Sequence, residues 1–155
     1  MLFKISRASA EFLRPTWLDT RASVTGRRTF DIAHGWGGIP PGGPDAHYFV
    51  VTHSVPQEWV RPGSPFTFVT DGVESAVEQA KKVAADNIVD LMGASIVQQC
   101  LKAGLLDEIQ IDLAPVLLGG GVSMFNYLGT GPIELERINV VEGIDVTHLL
   151  FRVVK

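Results

Sequence analysis

Two short stretches hold the residue types and spacing from which an anion-binding site can be built. In the first, Ala22-Ser23-Val24-Thr25 is a short strand that stops at Gly26 and passes into Arg27-Arg28-Thr29-Phe30-Asp31-Ile32-Ala33, a short helix ended by Gly35. In the second, the apolar run Ile88 to Leu91 gives way through Met92-Gly93 to Ala94-Ser95-Ile96-Val97, where Ile96, Val97, Cys100 and Leu101 recur at helical spacing. A helix that starts directly after a strand turns its unpaired N–H groups and the positive end of its dipole out of the sheet edge, where phosphate is favoured. Arg27, Arg28 and Thr29 add charge-assisted donors to the first turn. Either feature alone also suits plain packing or a solvated helix face. Two such turns, both at the C-terminal edge of one parallel sheet, point to a dinucleotide lying across that edge.

Other chemistries lack their residues. His34, His47, His53 and His148 show no ligand spacing, and with one cysteine there is no zinc or iron-sulfur pattern, so no metal site is expected. Gly93-Ala94-Ser95-Ile96-Val97 lacks the second glycine of a hydrolase nucleophile elbow. The phosphate-binding G-x-x-x-x-G-K-[ST] motif and the Rossmann fingerprint are both absent. Cys100 falls on the apolar face of its helix and is expected to be a buried small hydrophobe. Glu11 is a helix carboxylate expected to face solvent, and no catalytic residue is assigned.

The elements that must carry these turns follow from periodicity. Phe12, Leu13, Trp17 and Leu18 form a helical stripe within Ala8 to Thr20, interrupted by Pro15. Gly35 to Pro44 is a Gly/Pro-rich loop around Trp36. The continuous apolar run Tyr48 to Thr52 is a strand buried on both faces, and Phe66 to Val69 is the next. Asp71 and Glu74 predict a capping-box start for a helix to Asp86, with Val73, Ala76, Val77, Ala80 and Val83 on its apolar face. Ile109, Ile111 and Leu113 alternate with polar residues as a strand exposed on one side, and Leu117 to Val122 is a glycine loop. Ile133 to Val141 and Ile144 to Val153, joined by Glu142-Gly143, predict an antiparallel hairpin whose inward face is Leu149, Phe151 and Val153. The fold class is therefore α/β, a mostly parallel sheet with helices on both faces and an antiparallel C-terminal hairpin.

With 155 residues, 46% of them hydrophobic and 19% charged, residues 1–155 fit one compact domain. A net charge of -4 without a basic stripe argues against a nucleic-acid partner. No apolar run approaches the ~20 residues of a membrane span, and one unpaired cysteine suits a reducing, cytoplasmic setting.

A resemblance runs through these residues in order. It is carried by Val24-Thr25-Gly26-Arg27-Arg28-Thr29-Phe30-Asp31, Phe49-Val50-Val51-Thr52-His53, and Gly93-Ala94-Ser95 with Gln99. Ala103-Gly104-Leu105-Leu106-Asp107-Glu108-Ile109 and Pro115-Val116-Leu117-Leu118-Gly119-Gly120-Gly121 with Phe125 continue it. From Ser23 to Val154 the chain resembles the bacterial dihydrofolate reductase-like family, related to the reductase (C-terminal) domain of the bifunctional riboflavin-biosynthesis deaminase/reductase. The resemblance implies a dihydrofolate reductase-like fold, NADPH as hydride donor, a small heterocyclic substrate of pterin or ribosylaminopyrimidine type, and a homodimer. By the same correspondence Gly26, Arg27, Arg28 and Thr29 would hold the adenosine 2'-phosphate and pyrophosphate. Thr52 and His53 would lie beside the ribose, and Gly93, Ala94, Ser95 and Ile96 would form the second phosphate-binding turn. Ala33, Trp36, Pro115, Gly119, Gly120 and Gly121 would border the substrate. Family members begin with a central strand and a loop over the nicotinamide, where this chain has only Met1 to Ser6, so residues 1–22 are expected to be atypical and the first strand missing or shortened. The alternative function is accordingly a catalytically impaired nucleotide-binding or structural homologue that has lost that strand and lid.

Overall fold

The structure, a computed structural model, describes residues 4–43, 45–126, 128–129 and 131–155. Helix α1 (Arg7–Asp19) leads into β1 (Thr20–Gly26), and α2 (Arg27–Ile32) follows at once. Strands β2 (His47–Val51) and β3 (Phe66–Val69) precede α3 (Val73–Ala84), β4 (Ile88–Met92) and α4 (Ala94–Lys102). The chain then forms β5 (Glu108–Leu113), β6 (Leu135–Glu142) and β7 (Thr147–Val153). Pro15 sits within α1 without ending it, and Ser6 caps that helix by accepting the Ser9 N–H.

Strands β1 to β4 make a parallel sheet in the order β3-β2-β1-β4. Its central strand is buried from Ala22 to Thr25, as an apolar run covered on both faces requires. On one face Ala22, Val24 and Phe49 pack beneath α3 and α4, meeting Val73, Ala76, Val77, Ala80, Ile96 and Cys100. On the other face α2 lowers Phe30 onto Tyr48, Val50 and Phe66. The Phe30 ring is edge-on to Trp59 at 5.2 Å, Phe66 at 5.1 Å and Phe68 at 5.3 Å. The expected helices on both faces are present.

Two details of α3 differ from expectation. Its N-cap is Gly72 at φ 108, with no side-chain capping bond, so Asp71 lies one residue outside the position a capping box needs. Val83 is half exposed and Ala84 is buried in its place, because the 3.6-residue period carries the stripe from Ala80 to Ala84.

The second sheet is antiparallel, in the order β5-β7-β6. The predicted hairpin is formed, with its turn at residues 143–146 closed by Gly143 N–H donating to Val146 O at 2.8 Å. β5 joins this hairpin, which divides the expected mostly parallel sheet in two. On β7 the buried residue is His148, whereas Leu149, Phe151 and Val153 are only half-buried. Lys4 to Ser6, ahead of α1, form no strand.

At the start of the loop expected over Gly35 to Pro44, residues 34–38 coil into a left-handed turn with positive φ at His34, Gly35, Trp36 and Gly37. A Cβ on Gly35 would stand 2.5 Å from the Trp59 ring, so glycine there answers both backbone and packing demands.

Candidate functional site

The two turns are brought together by the register of β1 and β4. Thr25 pairs with Met92, so Gly26 and Gly93 leave adjacent parallel strands side by side. Both glycines are helix N-caps without a capping side chain. Gly26 has an ordinary φ of -89, whereas Gly93 stands at φ 98, a conformation that L side chains rarely adopt. At the second turn the Ile96 and Val97 N–H groups both donate to Gly93 O at 3.1 Å. The N–H groups of Ala94 and Ser95 come one turn too early for an intrahelical acceptor.

The side chains of the first turn extend the site toward β2. Arg27 Nε donates to Asp31 Oδ1 at 2.7 Å and its Nη1 to Ser54 O at 3.2 Å. Thr52 is buried, its hydroxyl donating to Ser54 O at 2.8 Å, and His53 beside it is exposed. Arg28 is exposed and Thr29 half-buried against Gly93. Thr25 Oγ1, one residue ahead of Gly26, is buried with no partner among the described residues. Gly26, Arg27, Arg28, Thr29, Thr52, His53, Gly93, Ala94 and Ser95 thus share the C-terminal edge of β1, β2 and β4. Ile96 differs from them: its side chain is buried in the core under the sheet, and its N–H is already bonded.

The residues expected around the substrate are less closely gathered. Ala33 ends α2, and Trp36 packs into the aromatic core, 5.1 Å from the Tyr48 ring and 6.4 Å from that of Phe66. Pro115 and Gly119 to Gly121 are exposed, and a Cβ on any of these three glycines would meet nothing within 4 Å. Their loop is tethered to α4 where Gln98 Nε2 donates to Met124 O at 3.0 Å. Glu11 lies on the open side of α1 in an ion pair with Arg7 at 2.7 Å.

Sequence reasoning passed over Asp90. It lies in β4 within an otherwise apolar run, and that lone carboxylate was the available signal. In register across three strands, Ser23 is flanked by Tyr48 on one side and Asp90 on the other, so all three side chains share a face. Burial pushes the Asp90 carboxyl pKa up, partly opposed by a hydrogen bond from the Leu91 N–H, and burial also raises the Tyr48 phenol. Asp90 lines a cavity of about 730 Å³ that runs between β4 and β5. His148 was also missed: its Nδ1 is 2.7 Å from Asp112 Oδ1, Phe12 stacks on its ring, and its buried Nε2 has no partner among the described residues.

Among the described residues no group of three or more His, Cys, Asp or Glu side chains could hold a metal ion, and no helix is long and apolar enough to cross a membrane. The donor set at the two turns, guanidinium groups with first-turn N–H groups that lack intrahelical acceptors and a Gly93 position that a Cβ would crowd, fits the phosphates of a dinucleotide.

A helix-clad parallel sheet followed by a separate antiparallel sheet that holds a C-terminal hairpin has a dihydrofolate reductase-like fold. The chain belongs to the RibD C-terminal domain family, whose model matches residues 23–146. Its fold is similar to that of a Shewanella sp. PV-4 protein assigned to riboflavin biosynthesis (TM-score 0.72, 23% identity, 90% of this chain and 77% of that one). It is also similar to RibD of Acinetobacter baumannii (TM-score 0.66, 17% identity, covering 99% and 52%). A third likeness is to dihydrofolate reductase of Enterococcus faecalis complexed with NADP(H) (TM-score 0.63, 16% identity, covering 94% and 82%). In sequence it matches YwjB of Bacillus subtilis, 32% identical over 62 residues, which make up 36% of that protein. The chain spans about half the length of RibD.

Proposed function

We propose that this chain is an NADPH-dependent reductase of a small heterocyclic substrate of the pterin or ribosylaminopyrimidine type. The observation that carries the proposal is the contiguity of the two phosphate-type turns, which meet where Gly93 faces Thr29. Arg27 and Arg28 would hold the 2'-phosphate, exchanging the present bonds of Arg27 to Asp31 and Ser54 for a dianion. The N–H groups of Ala94 and Ser95 would hold the pyrophosphate, with Thr52 and His53 beside the ribose. Bound there, NADPH supplies the hydride, and the chain's own task is to orient donor and acceptor. Ala33, Trp36, Pro115 and the Gly119 to Gly121 loop would border the substrate. A homodimer belongs to the same proposal, supported by the apolar loop residues Leu117, Leu118 and Val122, exposed at 99%, 82% and 80%. The single buried thiol suits a cytoplasmic setting.

A second reading, a nucleotide-binding homologue without turnover, is favoured by one observation. β4 and β5 are terminal strands of separate sheets, and the ground between them is open. Titration with NADPH, followed by energy transfer from tryptophan to nicotinamide, separates the readings when combined with NADPH oxidation across a pterin and aminopyrimidine panel. Saturable binding with turnover of one panel member supports the reductase. Binding without turnover favours the second reading, and no binding overturns both.

A further inference from the structure

We infer that the cavity between the start of α1 and the antiparallel sheet is a small-molecule site, which takes a neutral single-ring compound that presents one O–H or N–H donor to His148 Nε2. His148 stands in β7 in register with Asp112 on β5 and Val141 on β6, and only 2% of it is exposed. Phe12 fixes the ring from α1, stacked at 5.0 Å with 25° between the planes. On the other side Nδ1 lies 2.7 Å from Asp112 Oδ1. A carboxylate only accepts, so the proton of that bond sits on Nδ1, and the neutral imidazole then carries a bare lone pair at Nε2. That nitrogen is buried with no partner among the described residues. A buried acceptor left without a donor is costly, and a ligand that supplies the donor removes the cost.

His148 and Asp112 line a cavity of about 210 Å³. A dry apolar cavity of about 150 Å³ holds a benzene ring, so this one matches a ring with a small substituent. Ile5, Leu13, Ala114 and Val146 give it apolar walls. Its remaining polar side chains are engaged or solvated: Ser9 Oγ is 3.0 Å from Ser6 Oγ, Asp112 also accepts from Gln110 Nε2 at 3.1 Å, and Lys4 is exposed. The charges around the cavity select a neutral occupant. An anion would meet the Nε2 lone pair and the Asp112 carboxylate, and a cation would meet Lys4. The site is separate from the proposed cofactor site, because its lining includes none of Gly26 to Thr29, Thr52, His53 or Gly93 to Ser95.

The test titrates the full chain with phenol, and with toluene as a ring of matching size that lacks a donor. Calorimetry reports affinity, and long-range proton–nitrogen NMR spectra of the histidine rings report Nε2. Phenol should bind saturably and at least tenfold more tightly than toluene, while the Nε2 resonance of His148 shifts as its lone pair is taken up. Benzoate should bind at least tenfold more weakly than phenol. His148→Phe keeps an aromatic ring against Phe12 and removes the acceptor, so the preference for phenol over toluene should fall below threefold. Where that variant does not fold, the nitrogen spectra of the unaltered chain decide. No saturable binding of phenol, equal binding of toluene, or phenol binding that leaves the His148 nitrogens unmoved would overturn the inference. None of these readouts needs a cofactor, so they stand apart from the outcome of the NADPH titration.

Discussion

Gly93 and Thr29 are in contact across two adjacent strand ends: a Cβ placed on Gly93 would lie 2.8 Å from Thr29 Oγ1. Gly93→Ala therefore meets two obstacles, the hydroxyl of Thr29 and its own φ of 98. Backbone strain of this kind costs on the order of 1–3 kcal/mol. The variant should melt several degrees lower and bind NADPH at least tenfold more weakly. Adding Thr29→Ala should restore part of the melting temperature, because it removes the clash and leaves the backbone strain. Full additivity of the two losses would show that the contact does not matter.

Arg27 is the residue expected to tell NADPH from NADH. Arg27→Ala should weaken NADPH by tenfold or more, about 1.4 kcal/mol, and leave NADH within a factor of about three. Parallel titrations of the two cofactors decide it, and equal losses count against a 2'-phosphate at this turn.

Asp90 makes stability depend on pH in a direction that can be stated. Its folded-state pKa is raised by burial above the ordinary 3.8, so the native state holds this proton more tightly than the unfolded chain does. Its contribution is fully present below 3.8 and is lost as pH rises through the folded value. Asp90→Asn should therefore match the parent in acid and exceed it near neutrality. Urea unfolding of both chains across that range measures the divergence, and parallel curves would contradict it.

Cys100 should be inert in the native state. It is fully buried, and burial pushes its thiol pKa up to about 11, with Glu74 adding to the rise. At pH 8 only about one thiol in a thousand would be ionised even with free access. Iodoacetamide followed by mass spectrometry should label it only under denaturing conditions.

Local chemistry made much of this molecule readable. An apolar run, a glycine and a helical period sufficed to find both strand–glycine–helix turns at the C-terminal edge of one parallel sheet, and the pairing of β1 with β4 sets them side by side. What stayed hidden depends on partners far away in the chain. Asp90 becomes notable only through its register with Ser23 and Tyr48, and His148 through Asp112 and Phe12. Gly35-Trp36-Gly37-Gly38 read as part of a loop because glycine permits many conformations, and the Trp59 ring packed on Gly35 suits the left-handed one. The cap of α3 was misjudged by one residue, because the chain leaving β3 puts Gly72 at the helix start.

Every buried hydrophobic residue among those described lies between Ala22 and Leu101. That distribution bears on synthesis as well as on the finished molecule. Once α4 has left the ribosome, the nascent chain holds all the buried side chains of both cores and can begin to fold. The antiparallel sheet is then a late addition, held chiefly by its own ladder, and it is the part a protease should strip first.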